Sequence, residues 1–141
     1  MKKHDRIVAV VREWVEKAEE DFAVAVFLVG KSGSCPAAVV CFHAQQAIEK
    51  YLKAALVAGE IAFPKTHKIK QIMALMPPRE RPVLSGRDQD RLTDYATVTR
   101  YPGAYDPITL SEARRAVALA RRVRSEMRKH LPKESLRRKG K

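Results

Sequence analysis

The 141-residue sequence predicts an all-α fold, an antiparallel up-and-down helical bundle of about five helices. Three observations carry that expectation. Apolar residues recur at steps of three and four through every long segment. Gly30, Gly59, Pro77-Pro78 and Pro102-Gly103 cut the chain into helical lengths joined by short loops. No strand alternation, internal repeat or longer period of roughly 20–50 residues interrupts the pattern.

The elements follow in order. Asp5 is an acceptable N-cap for a first helix reaching Val29, with Ile7, Val11, Trp14, Ala18, Phe22, Ala25 and Val29 on one face. The second helix spans residues 36–58, with Pro36 in its first turn and Gly59 at its stop. Thr66 is the expected N-cap of a short third helix that Pro77-Pro78 ends. Ser85 and Asp88 form a weak capping box for a fourth helix over 86–98. TRYPGAYDP is turn chemistry, since Pro102-Gly103 suits the central pair of a type II turn. Thr109 and Glu112 make a better capping box for a fifth helix over 110–130. The bundle is thus expected to occupy residues 1–131. Residues 132–141, PKESLRRKGK, lack apolar periodicity and read as a basic, disordered tail.

Charge bounds the function. The net charge is +12, and residues 112–141 hold twelve Lys or Arg against three Glu. Such a concentration fits a nucleic-acid contact through counterion release, or a solubilising end of the chain. No apolar run approaches the ~18 residues of a membrane span, and no small-residue cleavage site follows the N-terminus. Cys35 and Cys41 have neither CxxC nor disulfide-framework spacing, so idle thiols in a reducing cytoplasm are expected. His4, His43, His67 and His130 lack metal-ligand spacing, and no cofactor or metal is expected.

The stretch CFHAQQAIEKYLKAAL, residues 41–56, has two sides. On a helical wheel with residue 43 at zero, Val40, Ala44, Ala47, Ile48, Tyr51 and Ala55 fall between about 40° and 140°. Phe42, Gln46, Glu49, Lys50 and Lys53 fall nearly opposite. His43, Gln46, Lys50 and Lys53 form a continuous polar stripe. Either this helix is central and both its sides are covered, or Phe42, Gln46 and Glu49 belong to an interface, most simply a twofold dimer.

The phrase FHAQQAIEKYLKA, the later PKTHKIKQI and the RYPGAYD ahead of the last helix occur in an order that resembles the HEPN family (higher eukaryotes and prokaryotes nucleotide-binding domain). The resemblance covers about residues 8–127. It implies a helical bundle that commonly forms a homodimer and has a role linked to nucleotide or RNA. It also implies a minimal nucleotidyltransferase as protein partner, in some cases within a toxin–antitoxin pair whose HEPN member is a metal-independent ribonuclease.

Catalytic members carry an Arg followed after four to six residues by a His. Arg124-SEMRK-His130 is a literal match, but six residues along a helix leave the two side chains about 120° apart. In the expected neighbourhood stands Arg100-YPGAY-Asp106, with Asp in place of His, which removes the proton-transfer group. Binding survives that loss: Arg100 can pair with phosphate while Tyr101 or Tyr105 stacks on a base. A rigid interhelix turn with packed tyrosines is the plainer alternative. His67, between Lys65 and Lys68, can help hold a phosphate at a helix start, or simply lie at the surface. Arg124 falls within the apolar arc of its helix and is expected to snorkel outward unless a carboxylate meets it.

The expectation is therefore a cytoplasmic, homodimeric, non-catalytic protein that binds nucleotide or RNA and partners a nucleotidyltransferase. Arg100, Tyr101, Tyr105, His43, Lys50, Lys53 and His67 are its ligand-facing candidates. A ribonuclease drawing on Arg100, Arg124, His130 or His43 is the alternative.

Overall fold

The computed structural model describes residues 2–31, 34–103 and 105–137, without the side chain of Arg100. Five α-helices run α1 (Lys3–Val29), α2 (Ala37–Ala58), α3 (Ile69–Leu75), α4 (Gly86–Ala96) and α5 (Leu110–Arg128). Three 3-10 turns, Pro78–Glu80, Val98–Arg100 and Lys133–Leu136, complete the order, and no strand occurs among the described residues. No helix among them is long and apolar enough to cross a membrane.

α2 is the central element and packs against α1, α3, α4 and α5. Its expected apolar arc is buried throughout: Val40, Ala44, Ala47, Ile48, Tyr51 and Ala55 join Leu52 and Leu56 in the core. Each large aliphatic side chain so buried contributes about 1.5–3 kcal/mol before entropy is counted. α1 lays Val11, Val15, Ala18 and Ala25 on this helix, and α5 adds Ala113, Val117, Ala120, Val123 and Met127. The frequent alanines let the helix axes approach closely.

Several boundaries differ from expectation for local reasons. α1 begins at Lys3, so Asp5 lies inside its first turn, where a carboxylate favours the helix dipole, rather than capping it. α3 begins at Ile69, not after Thr66. The Thr66 hydroxyl accepts the Lys68 N–H at 3.1 Å, and the Ile69 N–H is capped from another helix by Thr93 Oγ1 at 3.0 Å. Ser85 and Thr109 do cap α4 and α5, accepting from the Asp88 and Glu112 N–H groups at 3.0 and 3.1 Å.

α2 stops as a Schellman motif. The Ile61 N–H reaches the Leu56 carbonyl at 2.9 Å and the Glu60 N–H reaches Val57 at 3.0 Å. The left-handed position is occupied by Glu60 (φ 57°), while Gly59 is still right-handed (φ −85°). The glycine read as the stop therefore precedes the residue that makes the turn.

The first part of the expected tail is ordered. Lys133–Leu136 forms a 3-10 turn packed on α1, Ser135 is buried, and Leu136 lies against the core. Arg12 Nη2 donates to the Glu134 carbonyl at 2.7 Å. Leu131 and Leu136 bracket Pro132 and supply the apolar anchors that periodicity could not reveal. Residues 138–141, the basic end of that expected tail, lie outside the described residues.

Glu19 on α1 ties the three long helices together. Its carboxylate receives Arg124 Nε at 2.6 Å, Arg124 Nη2 at 2.7 Å and the Tyr51 hydroxyl at 2.6 Å. Arg128 donates to the Tyr51 oxygen at 3.1 Å. Arg124 therefore does not snorkel as expected. A bidentate carboxylate holds it, and its guanidinium lies 5.3 Å from the Phe22 ring centroid. Burial alone would push the Glu19 carboxyl up, but the bonds from Arg124 and Tyr51 outweigh it and hold the pKa below the ordinary value. Burial and the bond to Glu19 push the Tyr51 hydroxyl up to about 12.

A depressed folded-state pKa contributes stability that is complete above the unfolded glutamate value of about 4.3 and is lost as pH falls through the lower folded value. Glu19→Gln is expected to lower unfolding free energy by about 1–2 kcal/mol at pH 7, after discounting for partial exposure. Its deficit should shrink below pH 4. Urea titrations at pH 7 and pH 3.5 measure both; an equal deficit at the two values removes the ionic account.

Candidate functional site

The polar side of α2 turns inward along part of its length. Glu49 is 2% exposed. One of its oxygens meets Gln45 Nε2 at 2.7 Å and His67 Nδ1 at 2.9 Å, and the other accepts from Lys53 Nζ at 2.9 Å. Gln46 donates to Gln45 Oε1 at 2.7 Å. The buried Lys53 ammonium sits 5.6 Å from the Trp14 ring and 5.9 Å from that of Phe63. Each of these groups has a partner, as polar groups in such a place must. Glu49 therefore belongs to an internal network rather than to an interface rim, and Lys53 is not presented to a ligand. The central-helix reading holds for this half of the stripe.

Nearer the start of α2 the stripe stays open to solvent. Asp21 on α1 receives His43 Nδ1 at 2.8 Å on one oxygen and Lys50 Nζ at 2.6 Å on the other. The Phe42 ring stands edge-on to the His43 ring at 5.4 Å, half-buried and outside the core cluster. With Asp21 engaging Nδ1, Nε2 is the ring nitrogen left for exchange with a ligand. Phe42, His43, Gln46 and Lys50 thus form a partly exposed surface of mixed polarity.

At the same end of the bundle, α4 gives way to the loop ahead of α5. Glu112 anchors this junction. It accepts from Arg91 Nε at 2.6 Å and from the Tyr95 hydroxyl, while Arg91 stacks over the Tyr95 ring at 5.1 Å. Burial would raise the Glu112 carboxyl, yet the bonds from Arg91 and Tyr95 hold it below the ordinary value. The same burial, with the bond to Glu112, raises Tyr95. The fully buried Cys41 thiol sits beside the Tyr95 hydroxyl and is pushed up to about 12 by burial, so it carries no thiolate.

From this anchor the chain leads through the Val98–Arg100 turn to Gly103, whose φ of 78° provides the left-handed position of the expected Pro-Gly turn. Tyr101 is 66% exposed, an unusual setting for so large an aromatic ring, whereas Tyr105 is half-buried. Beside the loop, α4 and α5 enclose an open groove of roughly 570 Å³. Arg87, Arg91 and Arg115 line it together with Asp88, Asp90, Asp94 and Glu112, so its charge is not that of a phosphate pocket.

The expected ligand-facing residues therefore do not converge on one site. Arg100, Tyr101 and Tyr105 share a loop at the end of the bundle where α2 presents His43. Lys53 lies ten residues further along α2, roughly 15 Å away, and bonds to Glu49. His67, with a 53% exposed side chain, immediately precedes Lys68, the N-cap of α3, and bonds to Glu49. Arg124 and His130 are not brought together either, because Arg124 is committed to Glu19 and His130 is exposed beyond the end of α5. Sequence reasoning missed the partners Glu19, Asp21, Arg91, Tyr95 and Glu112. The available signal was the Glu19-Glu20-Asp21 run, three acids together on a helix of a strongly basic chain. No group of three or more described His, Cys, Asp or Glu side chains could hold a metal ion.

Comparison with known proteins agrees with this architecture. The crystal structure of TT1696 from Thermus thermophilus is similar over 86% of this chain and 98% of that one, with 28% sequence identity and a TM-score of 0.67. No curated protein matches the chain. The HEPN domain matches residues 11–130, from the third turn of α1 to just past the end of α5, and so takes in both the surface around Asp21 and His43 and the loop of residues 100–106. The chain belongs to the HEPN domain family.

Proposed function

We propose that this protein binds nucleotide or RNA phosphate as a cytoplasmic homodimer and partners a minimal nucleotidyltransferase, in a module of the toxin–antitoxin kind. Family membership supports the nucleotide- or RNA-linked part of this reading. The observation that carries it is the exposed Tyr101 ring on a loop held firmly at its base by Tyr95 and Glu112. A base stacked on that ring recovers apolar area now facing water, and the neighbouring Arg100 supplies a cation for the phosphate. Phe42, edge-on to His43 and flanked by Gln46, provides an anchor with a polar rim for a twofold contact.

A ribonuclease is the second reading, and the pairing of Asp21 with His43 favours it, because a carboxylate that fixes an imidazole tautomer prepares the ring for proton transfer. The two readings separate on RNA cleavage. The binding reading expects none in EDTA. Cleavage by the wild type that disappears in His43→Ala and persists in Arg124→Ala establishes the enzyme instead.

Tyr101→Ala is expected to weaken a labelled ribo-oligonucleotide by about 1–2 kcal/mol, roughly five- to thirty-fold, without changing the melting curve. Fluorescence anisotropy reads this directly, and unchanged affinity removes the loop from the site. Phe42→Glu is expected to leave helical circular dichroism intact while shifting the species on a sizing column from dimer to monomer. A persistent dimer places the contact elsewhere.

A further inference from the structure

The outer face of α5 carries a regularity that neither the fold nor the loop site uses. From Ser111 the chain reads SEARRAV, ALARRVR, SEMRKHL, three successive heptads. Each begins with a small residue, Ser111, Ala118 or Ser125, and each holds a basic pair at its fourth and fifth positions: Arg114 with Arg115, Arg121 with Arg122 and Arg128 with Lys129. A heptad drifts only about 20° per repeat on a straight helix, so three repeats stay on one face. Burial confirms the register. Ala113, Ala116, Val117, Ala120, Val123 and Met127 face the core, while the small residues and all the paired cations but the partly covered Arg128 are exposed. The basic pairs thus recur every ~10.5 Å along a rod of roughly 27 Å.

Few of these charges are neutralised within the chain. Asp88 takes Arg115 through both oxygens at 2.9 Å, and Glu19 lies 4.0 Å from Arg128. Arg121 rests over the Phe22 ring at 5.4 Å and Arg122 donates to the Val83 carbonyl, neutral partners that orient a guanidinium and leave its charge intact. Arg114 and Lys129 form no ion pair with a described residue. The acids of the helix are engaged off the row: Glu112 with Arg91 and Tyr95, Glu126 with the Val83 N–H at 3.3 Å. Glu126 stands four residues after Arg122, but it bonds the Val83 N–H, and the pairs at Arg114-Arg115 and Arg121-Arg122 carry no acid between them.

We propose that the exposed face of α5 tracks the phosphate backbone of an RNA strand, extending contact beyond whatever nucleotide occupies the loop. This rests on the RNA-binding reading above and assigns it a second surface. Uniform spacing along a rod suits a partner whose charge also repeats uniformly. The small residue in each repeat lets a backbone approach the helix between forked guanidinium groups, whose geometry matches phosphate oxygens. A second copy of the chain would bring the same sign of charge against it and be repelled.

The test is the salt dependence of binding to a fluorescein-labelled 30-nucleotide oligouridylate. A single strand releases about 0.7 counterions per neutralised phosphate, so R114Q/R121Q/R122Q/K129Q should flatten the log–log slope by roughly 2.8. R114Q/K129Q, which touches no described partner, should flatten it by roughly 1.4 and leave the melting curve unchanged. Binding of a uridine dinucleotide should be indifferent to both variants and sensitive to Tyr101→Ala. An unchanged slope with intact dinucleotide binding overturns the α5 surface and spares the loop. Failure of the wild type to bind either ligand overturns the two together. Competition by a polyglutamate peptide as strong as that by RNA at equal charge also overturns it, in favour of an acidic protein partner.

Discussion

One carboxylate organises the bundle. Glu19 stands where α1, α2 and α5 meet and receives a fork from Arg124 and a hydroxyl from Tyr51, which in turn accepts from Arg128. Apolar packing is non-directional and would tolerate a range of rotations of α5 about its own axis. A bidentate pair with a third bond tolerates few. By setting that rotation, Glu19 helps determine which residues of α5 face the core and which cations are left outside. The basic face of α5 depends on this constraint and shares Arg128 with it.

α2 shows how a helix can be amphipathic and still internal. One arc is filled by aliphatic side chains. The other holds Gln45, Glu49 and Lys53, desolvated but each supplied with a partner from its own helix or from His67. Such networks add little net stability over an apolar core. Breaking one costs far more than replacing it whole, because the surviving partner stays buried and unpaired. The Trp14 and Phe63 rings beside Lys53 give its ammonium a polarisable wall in place of water.

The helices were legible because their signals are local. Caps at Ser85 and Thr109, the stop near Gly59 and the apolar steps of α1 depend on residues within a turn or two. What failed was anything that needed a partner distant in sequence. The start of α3 is capped by Thr93, and the fate of Arg124 was decided by a residue 105 positions away. The wheel of α2 separated polar from apolar but could not say that His67 would cover Glu49 while leaving Phe42 and His43 open. Leu136 carried no periodicity and so gave no hint that residues 133–136 pack on α1. The heptads of α5 were present in plain letters, yet they acquire meaning only when the opposite face is known to be buried.

Cys41 sits at the junction of these surfaces, fully buried and with its thiol held protonated beside Tyr95. A soluble alkylating reagent can reach that sulfur only after α2 and α4 part, and it reacts only with the thiolate that exposure to water restores. The residue is thus a native chemical clock: its labelling rate counts the openings of the end of the bundle that carries the loop. Occupancy of the loop by a ligand would slow that clock in proportion to the fraction bound, without any probe being added to the protein.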